Sequence, residues 1–359
     1  MIKDIKDFVL RMVAGANVAT ALLMLAVGFS DRLDPVSHPL LANAGLVFPV
    51  LLALNLGFLV LWIFVRLRWV VIPFAALVLG FGPVRNYAPL NLSVAPADSC
   101  LKVVSFNVWN MGAWKSLADS CEMAGWLVEQ DADIVCLQES GGLDWERQQH
   151  FLSLLADAYP EQLDVNYQAS HMLLLSKHPI LSHERIPYAS SANFSEAFRL
   201  RVGQDTVTVI ANHFESIAFT VEEKEQVETI VKGNMETQQA ETASRHLADK
   251  LVAASKRRAP QADSVAAYVR RHQGESIILC GDFNDSPISY VHRTIARELT
   301  DCYVAAGNGP GLSYHRNAIY VRIDNMFCSD DWKPVKCYVD SQVDLSDHYP
   351  IVCLLSKAQ

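Results

Sequence analysis

Four segments of this chain have residue types that can do chemistry: Ser105-Phe106-Asn107, Gln138-Glu139, Gly281-Asp282-Phe283-Asn284 and Ser346-Asp347-His348. Apolar or β-branched runs precede the first three (Lys102 to Val104, Asp133 to Leu137, Ser276 to Cys280), and one follows the fourth (Ile351 to Leu355). A buried strand that ends in a carboxylate, amide or imidazole delivers a polar side chain from a rigid element into a cleft. Glu139 offers a hard oxygen suited to Mg²⁺ or Mn²⁺, ions that bind through one or two carboxylates and keep several waters. Asn107 can hold the same ion, or a water on it, through its amide oxygen. Asp282 and Asn284 stand two apart, so in extended geometry both face one side while Phe283 packs on the other. An imidazole held by a carboxylate has a defined tautomer and a pKa in the working range, which makes His348, next to Asp347, a candidate for acid–base work. The chemistry such a set supports is metal-assisted hydrolysis.

With Arg322-Ile323-Asp324 and Asn212-His213, these segments resemble, in order and spacing, the endonuclease/exonuclease/phosphatase superfamily. This is the fold of deoxyribonuclease I, abasic-site endonucleases, neutral sphingomyelinases and inositol polyphosphate phosphatases. The resemblance spans about residues 100–356 and implies a four-layer α/β/β/α sandwich, two mixed sheets face to face with helices outside. It implies that Asn107 and Glu139 hold the metal and that Asp347 orients His348 and touches the metal. His348 is then a general base or a phosphate-stabilising group. Asp282 would position or deprotonate the attacking water, and Asn284 would bind a phosphoryl oxygen. Asp324 would support a histidine, His213 or His348. Asn212 directly precedes His213, a departure from the Asn-X-His-like pattern, so His213 is either the acid for the leaving oxygen or a phosphate contact. Tyr167 and His171 are weaker candidates for substrate contact, while His246 and His272 read as solvated helix residues.

The elements that must position these residues alternate between strand and helix, as in a layered α/β domain. Strands are expected at Leu101 to Asn107, Asp133 to Glu139, His171 to Ser176, Thr206 to Asn212, Ser276 to Cys280, Ile319 to Phe327, Lys336 to Val339 and Ile351 to Leu355. Helices are expected at Ser116 to Gln130, Glu146 to Ala158, Val221 to Lys232 and Met235 to Arg258, with Pro260 opening another to about His272. The helical stretch begins just after His213 and exceeds what two strands need to be joined, so its start is expected to form one rim of the pocket.

The first 85 residues read as a membrane anchor. Phe8 to Phe29 carries only Arg11, and Asn43 to Val65 and Trp69 to Val84 carry no charge, giving expected spans at about 8–29, 43–65 and 69–84. Lys3, Lys6, Arg11, Arg66 and Arg68 flank one side, so the positive-inside rule puts the N-terminus in the cytoplasm of a multi-pass inner-membrane protein. With three spans the catalytic domain at 100–356, joined by a linker at 86–99, is extracytoplasmic; a re-entrant third segment would leave it cytoplasmic.

Charge separates the substrate classes. The whole chain holds 30 basic and 39 acidic residues, and residues 1–97 hold seven and four, so the remainder holds 23 and 35, net −12. A protein gripping nucleic-acid backbone without sequence preference presents a basic surface, so nucleic acid is disfavoured as a partner. Lys256, Arg257, Arg258, Arg270 and Arg271 on the helical stretch read as solubility features. The partners expected are the bilayer and a phosphorylated substrate, lipid-linked or small; no protein partner can be inferred. All eight cysteines lie beyond residue 99, and without zinc spacing they mildly favour a reducing compartment. Cys136, Cys280 and Cys353 sit in apolar strand runs, whereas Cys302, Cys328 and Cys337 are open to pairing in an oxidising one. The function expected is a membrane-tethered, divalent-metal-dependent phosphodiesterase or phosphatase. Its alternatives are a metal-dependent nuclease and a non-catalytic membrane scaffold.

Overall fold

The computed structural model describes residues 2–92, 99–112, 119–168, 170–190 and 192–358. The start of the expected helix at 116–118 and the linker stretch 93–98 lie outside the described residues.

Two six-stranded mixed sheets form the α/β domain. One runs Trp332–Val339, Ile351–Lys357, Leu101–Asn107, Ile134–Gln138, Ser170–Ser176, Glu161–Tyr167; the other runs Ile180–Ile186, Ser195–Val202, Asp205–His213, Ser276–Asp282, Asp324–Cys328, Thr300–Asp301. Strand alternation sorts side chains into layers. Val103, Cys136 and Leu174 of the first sheet meet Val209, Cys280 and Met326 of the second in one core. The next residues along, such as Val104, Val135 and Leu175, pack outward beneath helices Asp119–Gln130 and Trp145–Leu155. Ile210, Leu279 and Phe327 do the same beneath Thr237–Arg271 and Tyr290–Ala296. The result is a four-layer α/β/β/α sandwich.

Several local expectations are corrected. Thr237–Arg271 is one continuous 35-residue helix with Pro260 inside it, where two helices were expected. Pro260 and Lys256, whose carbonyl loses its partner, are both exposed, and buried Arg258 and Gln261 hold the helix on either side of the proline. The expected strand Ile319 to Phe327 is broken: Ile319–Val321 pairs with Tyr314–Arg316 in a separate hairpin, and Asp324–Cys328 joins the second sheet. Ser313 Oγ makes the break by accepting both the Ile323 and Asp324 N–H groups at 3.0 Å. Glu161–Tyr167, Ile180–Ile186 and Ser195–Val202 had not been expected as strands. Two of them are sheet edges: Ile180–Ile186 is largely exposed and shows no apolar alternation, whereas Glu161–Tyr167 does alternate, with Leu163, Val165 and Tyr167 turned to the core between the sheets, and was missed. All eight cysteines are free thiols, with Cys302, Cys328, Cys337 and Cys353 buried together between the sheets.

Asp4–Arg32 and Pro39–Val65 are long and apolar enough to cross a membrane. The third segment is a bent pair, Leu67–Leu79 and Phe81–Tyr87 at 70°, so it does not form one straight span; the break falls at Gly80, where a Cβ would meet the Ala76 carbonyl at 2.9 Å. The Phe81–Tyr87 helix runs two residues past the expected end of the anchor. Asp7 and Arg66 pair at 2.8 Å at one end of the bundle. The other end is docked on the catalytic domain. Ile288 packs with Met24, Phe48, Leu52 and Ala76, and Asn43 Nδ2 donates to Ser255 Oγ at 2.8 Å. Arg322 Nη2 donates to the Asn86 carbonyl, and Asn91 Nδ2 to the carbonyls of Val304 and Gly307 at 3.1 and 2.6 Å. The stretch after the apolar helices is therefore packed against the α/β domain up to Asn91.

Candidate active site

Sheet register builds the centre of the site. Asp282 ends the Ser276–Asp282 strand, with His213 as its partner on the parallel neighbour and Asp324 on the antiparallel one. Three strand ends therefore place a carboxylate between an imidazole and a second carboxylate. The loop before the last strand brings His348 in from the other sheet. Its Nδ1 lies 2.8 Å from Asp324 Oδ2, and its Nε2 3.9 Å from Asp282 Oδ2. Asp324 is thus the partner of His348 and not of His213. Asp347 does not orient His348: its Oδ1 accepts from Ser346 Oγ at 3.4 Å and its Oδ2 faces Lys224 Nζ at 3.8 Å. Adjacent residues in an extended loop point apart, and the Asp324 strand end fills the place beside the imidazole.

The first sheet contributes Asn107 and Glu139 from the ends of parallel neighbouring strands. Asn107 Nδ2 donates to Glu139 Oε1 and to Asp282 Oδ2, both at 3.0 Å, and so joins the two sheets at the pocket floor. Glu139 has φ +54° and Asn284 φ +51°. A non-glycine residue is rarely left-handed, and such backbone persists where the surroundings over-determine it, often at functional sites. The Glu139 twist turns the chain immediately after a strand. At Asn284 it replaces the expected extended geometry with a turn, in which the Asn284 N–H bonds Asp282 Oδ1 at 2.7 Å and Nδ2 reaches Oδ2 at 3.2 Å. Gly281, at φ +133°, must be glycine, since a Cβ there would sit 2.0 Å from the Asn212 carbonyl oxygen.

Burial pushes the Asp282 carboxyl up to about 6, with Asp324 adding to the rise and the imidazoles of His348 and His213 opposing it. Burial alone would lower His348, but the carboxylates of Asp324 and Asp282 outweigh it and push the imidazole up to about 10. At neutral pH the arrangement therefore holds an ionised Asp282 beside a protonated His348. His213 Nε2 stands 3.3 Å from Glu139 Oε1 and 3.8 Å from Asp282 Oδ2.

The donor set fits a hard divalent cation. Asp282, Asp324 and His348 lie close enough to hold a metal, but the 2.8 Å Asp324–His348 contact commits those two to each other. Glu139 is the better ligand: its side chain is 28% exposed and, among the described residues, it has no Lys or Arg ion partner. Glu139 and Asp282 offer carboxylate oxygens, while Asn107 turns its Nδ2 to both and its Oδ1 accepts from the Trp109 N–H at 3.1 Å, so its amide would turn over to present oxygen to a cation.

Around this floor is a cleft of about 600 Å³. Residues from Ser216 to Phe219 and Lys224 line it beside Glu139, so the start of the helical stretch does form a rim. Lys224, Trp109 and Tyr314 were not expected. Lys224 Nζ sits 5.4 Å from the Trp109 ring centroid and 5.9 Å from that of Tyr314, and the Tyr314 ring meets His348 edge-on at 5.1 Å. No motif marks these three residues, because they meet only through tertiary packing. Arg258 corrects the reading of a solvated helix charge. It is buried, donating through Nε to Asp285 Oδ2 at 3.2 Å and through Nη1 to the Glu215 carbonyl at 3.1 Å, which fastens the long helix to the site loops. Arg257 pairs with Glu215 at 3.2 Å. His171 pairs with Asp164 at 3.3 Å and Tyr167 packs beneath Arg185; neither lines the cleft.

This geometry coincides with a match of residues 104–348 to the endonuclease/exonuclease/phosphatase family. The chain belongs to that family. A domain of unknown function matches residues 10–87, the apolar helices. No curated protein matches the chain. Among solved structures, the human nocturnin catalytic domain with bound sulfate is similar at TM-score 0.52 and 16% identity, covering 75% of this chain and 96% of that one. D. rerio TDP2 complexed with a single-strand DNA product gives 0.51 and 18%, covering 72% and 100%. A family protein from Leptotrichia buccalis gives 0.50 and 15%, covering 71% and 99%. At these identities the likeness is one of fold, and family membership brings the phosphoester-hydrolase and nuclease class without a substrate.

Proposed function

We propose that the chain is a membrane-tethered, divalent-metal-dependent hydrolase of phosphoric esters, acting on a lipid-linked or small phosphorylated substrate. The observation that carries this reading is the buried Asp282 carboxylate between His213 and the His348–Asp324 pair, with Asn107 and Glu139 alongside. Glu139 and Asn107 would hold Mg²⁺ or Mn²⁺, which when bound neutralises charge on the phosphoryl oxygens.

The chain's own groups then divide the work. Asp282, ionised above about 6, takes a proton from the attacking water as its oxygen bonds to phosphorus. His348, kept protonated by Asp324, donates to a phosphoryl oxygen, a role its raised pKa favours over that of base. Asn284 contributes a further polar contact at the phosphate. As the ester P–O bond breaks, His213 is placed to give its proton to the leaving oxygen; solvent then takes the proton held by Asp282 and supplies one to His213, which restores both groups.

The anchor geometry supports an extracytoplasmic domain. The end carrying Asp7, Arg66 and the basic N-terminal residues lies opposite the docked catalytic domain. With the basic end cytoplasmic, the domain falls on the far side of the bilayer.

A hydrolysis screen of the full chain in lipid nanodiscs tests the function, using phospholipids, inositol phosphates, nucleotides and DNA with Mg²⁺ or Mn²⁺. Turnover of a lipid or small phosphoester that stops in excess EDTA is expected. DNA nicking as the sole activity would replace this reading with the nuclease one, and undiminished activity in EDTA would remove the metal.

A further inference from the structure

Resting on that hydrolase reading, we propose a substrate class: a bilayer amphiphile whose phosphate sits on the strand-end floor and whose hydrocarbon chain lies between the helical arm and the Tyr314–Val321 hairpin. Beyond Glu139, Asp282 and His348 the same cleft turns apolar. Val227 and Ile230 come from the Val221–Val231 helix, Leu247 and Leu251 from the Thr237–Arg271 helix, and Ile319 from the hairpin. Pockets that fix a ligand with a few polar groups and hold its bulk on apolar walls have this division.

The anchor borders the apolar part. Asn43 and Leu46, in the stretch where the second apolar segment, Pro39–Val65, begins, line the same cleft. The Asn43 bond to Ser255 places the start of this segment one turn along the arm helix from Leu251. The start of the segment also leaves Leu40, Leu41 and Val47 exposed at 73, 61 and 50%. Exposed apolar side chains beside helices long enough to cross a bilayer belong in lipid or at its boundary, so a chain leaving the hydrocarbon would reach the cleft without crossing water.

Charge argues against a nucleic-acid strand in this space. A groove that follows a sugar–phosphate backbone needs a series of cations. Among the described lining residues the cations are Lys224, Arg258 and the protonated His348, and Arg258 is committed to Asp285 and His348 to Asp324, which leaves no series of them. Lys224, over Trp109 and Tyr314 at the polar end, suits a single phosphate head.

The test compares dodecyl p-nitrophenyl phosphate with methyl p-nitrophenyl phosphate, which share a leaving group, on the full chain in nanodiscs with Mg²⁺. A kcat/KM at least about tenfold higher for the dodecyl ester is expected, because buried methylenes add binding. In Ile230→Asp and Leu251→Asp variants that ratio should collapse toward one. Equal values in the unmodified protein, or an unchanged ratio in both variants, would overturn the proposal. A second readout is free of turnover: a dodecyl phosphate carrying a terminal diazirine is photo-crosslinked in EDTA and its adducts are mapped by mass spectrometry. Adducts on residues 227–251 are expected, and adducts confined to the anchor helices would refute the chain site. Arm adducts without hydrolysis of either ester would refute the hydrolase reading and leave the chain site standing.

Discussion

Strand ends line one side of the cleft, and there Asn107, His213, Asp282 and Asp324 are each set by backbone register, with side-chain contacts near 3 Å across two sheets. The helical arm lines the other side, and its two helices hold together through Glu223, which accepts from Lys250 Nζ, contacts His246 Nε2 at 2.7 Å and caps its own helix with Thr220. The strand side is buried and rigid, with charges close enough to shift one another. The arm side is half-exposed and apolar, and apart from Lys224 it offers surface more than chemistry. Substitutions on the strand side should therefore change turnover, and those on the arm side should change what binds.

The largest effect should come from Asp282→Ala and His348→Ala. Each should lower kcat by at least about 10²-fold, as expected for general acid–base groups, with an unchanged circular-dichroism spectrum. Near-native turnover in either would mean that the strand side is not the reaction centre.

Asp324→Asn should come next, costing about tenfold in kcat near neutrality. In the unmodified protein, activity should rise through about pH 6 as Asp282 ionises and fall as His348 loses its proton at about 10. Asp324 raises both groups, so its neutral replacement should shift both limbs of the profile to lower pH. Stability gives a second check. A histidine raised above its ordinary 6.5 stabilises the fold fully below 6.5, and that contribution fades as pH rises through about 10. The melting-temperature advantage over Asp324→Asn should shrink across that interval, and a constant difference would remove the charge pair from the account.

Lys224→Met should be the mildest, raising KM by about tenfold, the scale of one charge-assisted hydrogen bond, while kcat stays within a factor of about three. A loss confined to kcat would make Lys224 part of the reaction centre and erase the contrast between the two sides.

Much of the strand side was legible in the sequence, because a short apolar run ending in Asn, Glu, Asp or His marks both the element and the place where its side chain emerges. The edge strand Ile180–Ile186 carried no such mark, since its largely exposed residues lack the alternation that reveals a half-buried strand, whereas the alternation of Leu163, Val165 and Tyr167 was present in the sequence but ends in no candidate site residue. Pro260 misled for a related reason: the rule that proline opens a helix is local, while Arg258, Gln261 and the packed face of Thr237–Arg271 carry the helix through it.

The sequence by itself determined the apolar helices, the layered α/β domain and nearly every polar group on the pocket floor, because these depend on periodicity and on residue type at strand ends. Only the tertiary structure decided that Asp324, not the adjacent Asp347, holds His348. Partner choice depends on which strand end lies within about 3 Å of an imidazole, and chain adjacency does not supply that distance. The same reason covers Lys224 over Trp109 and Tyr314, Arg258 buried against Asp285, and Leu46 of the second apolar helix at the cleft. Each joins residues far apart in the chain, and the contact exists only once sheets, arm and apolar helices have packed.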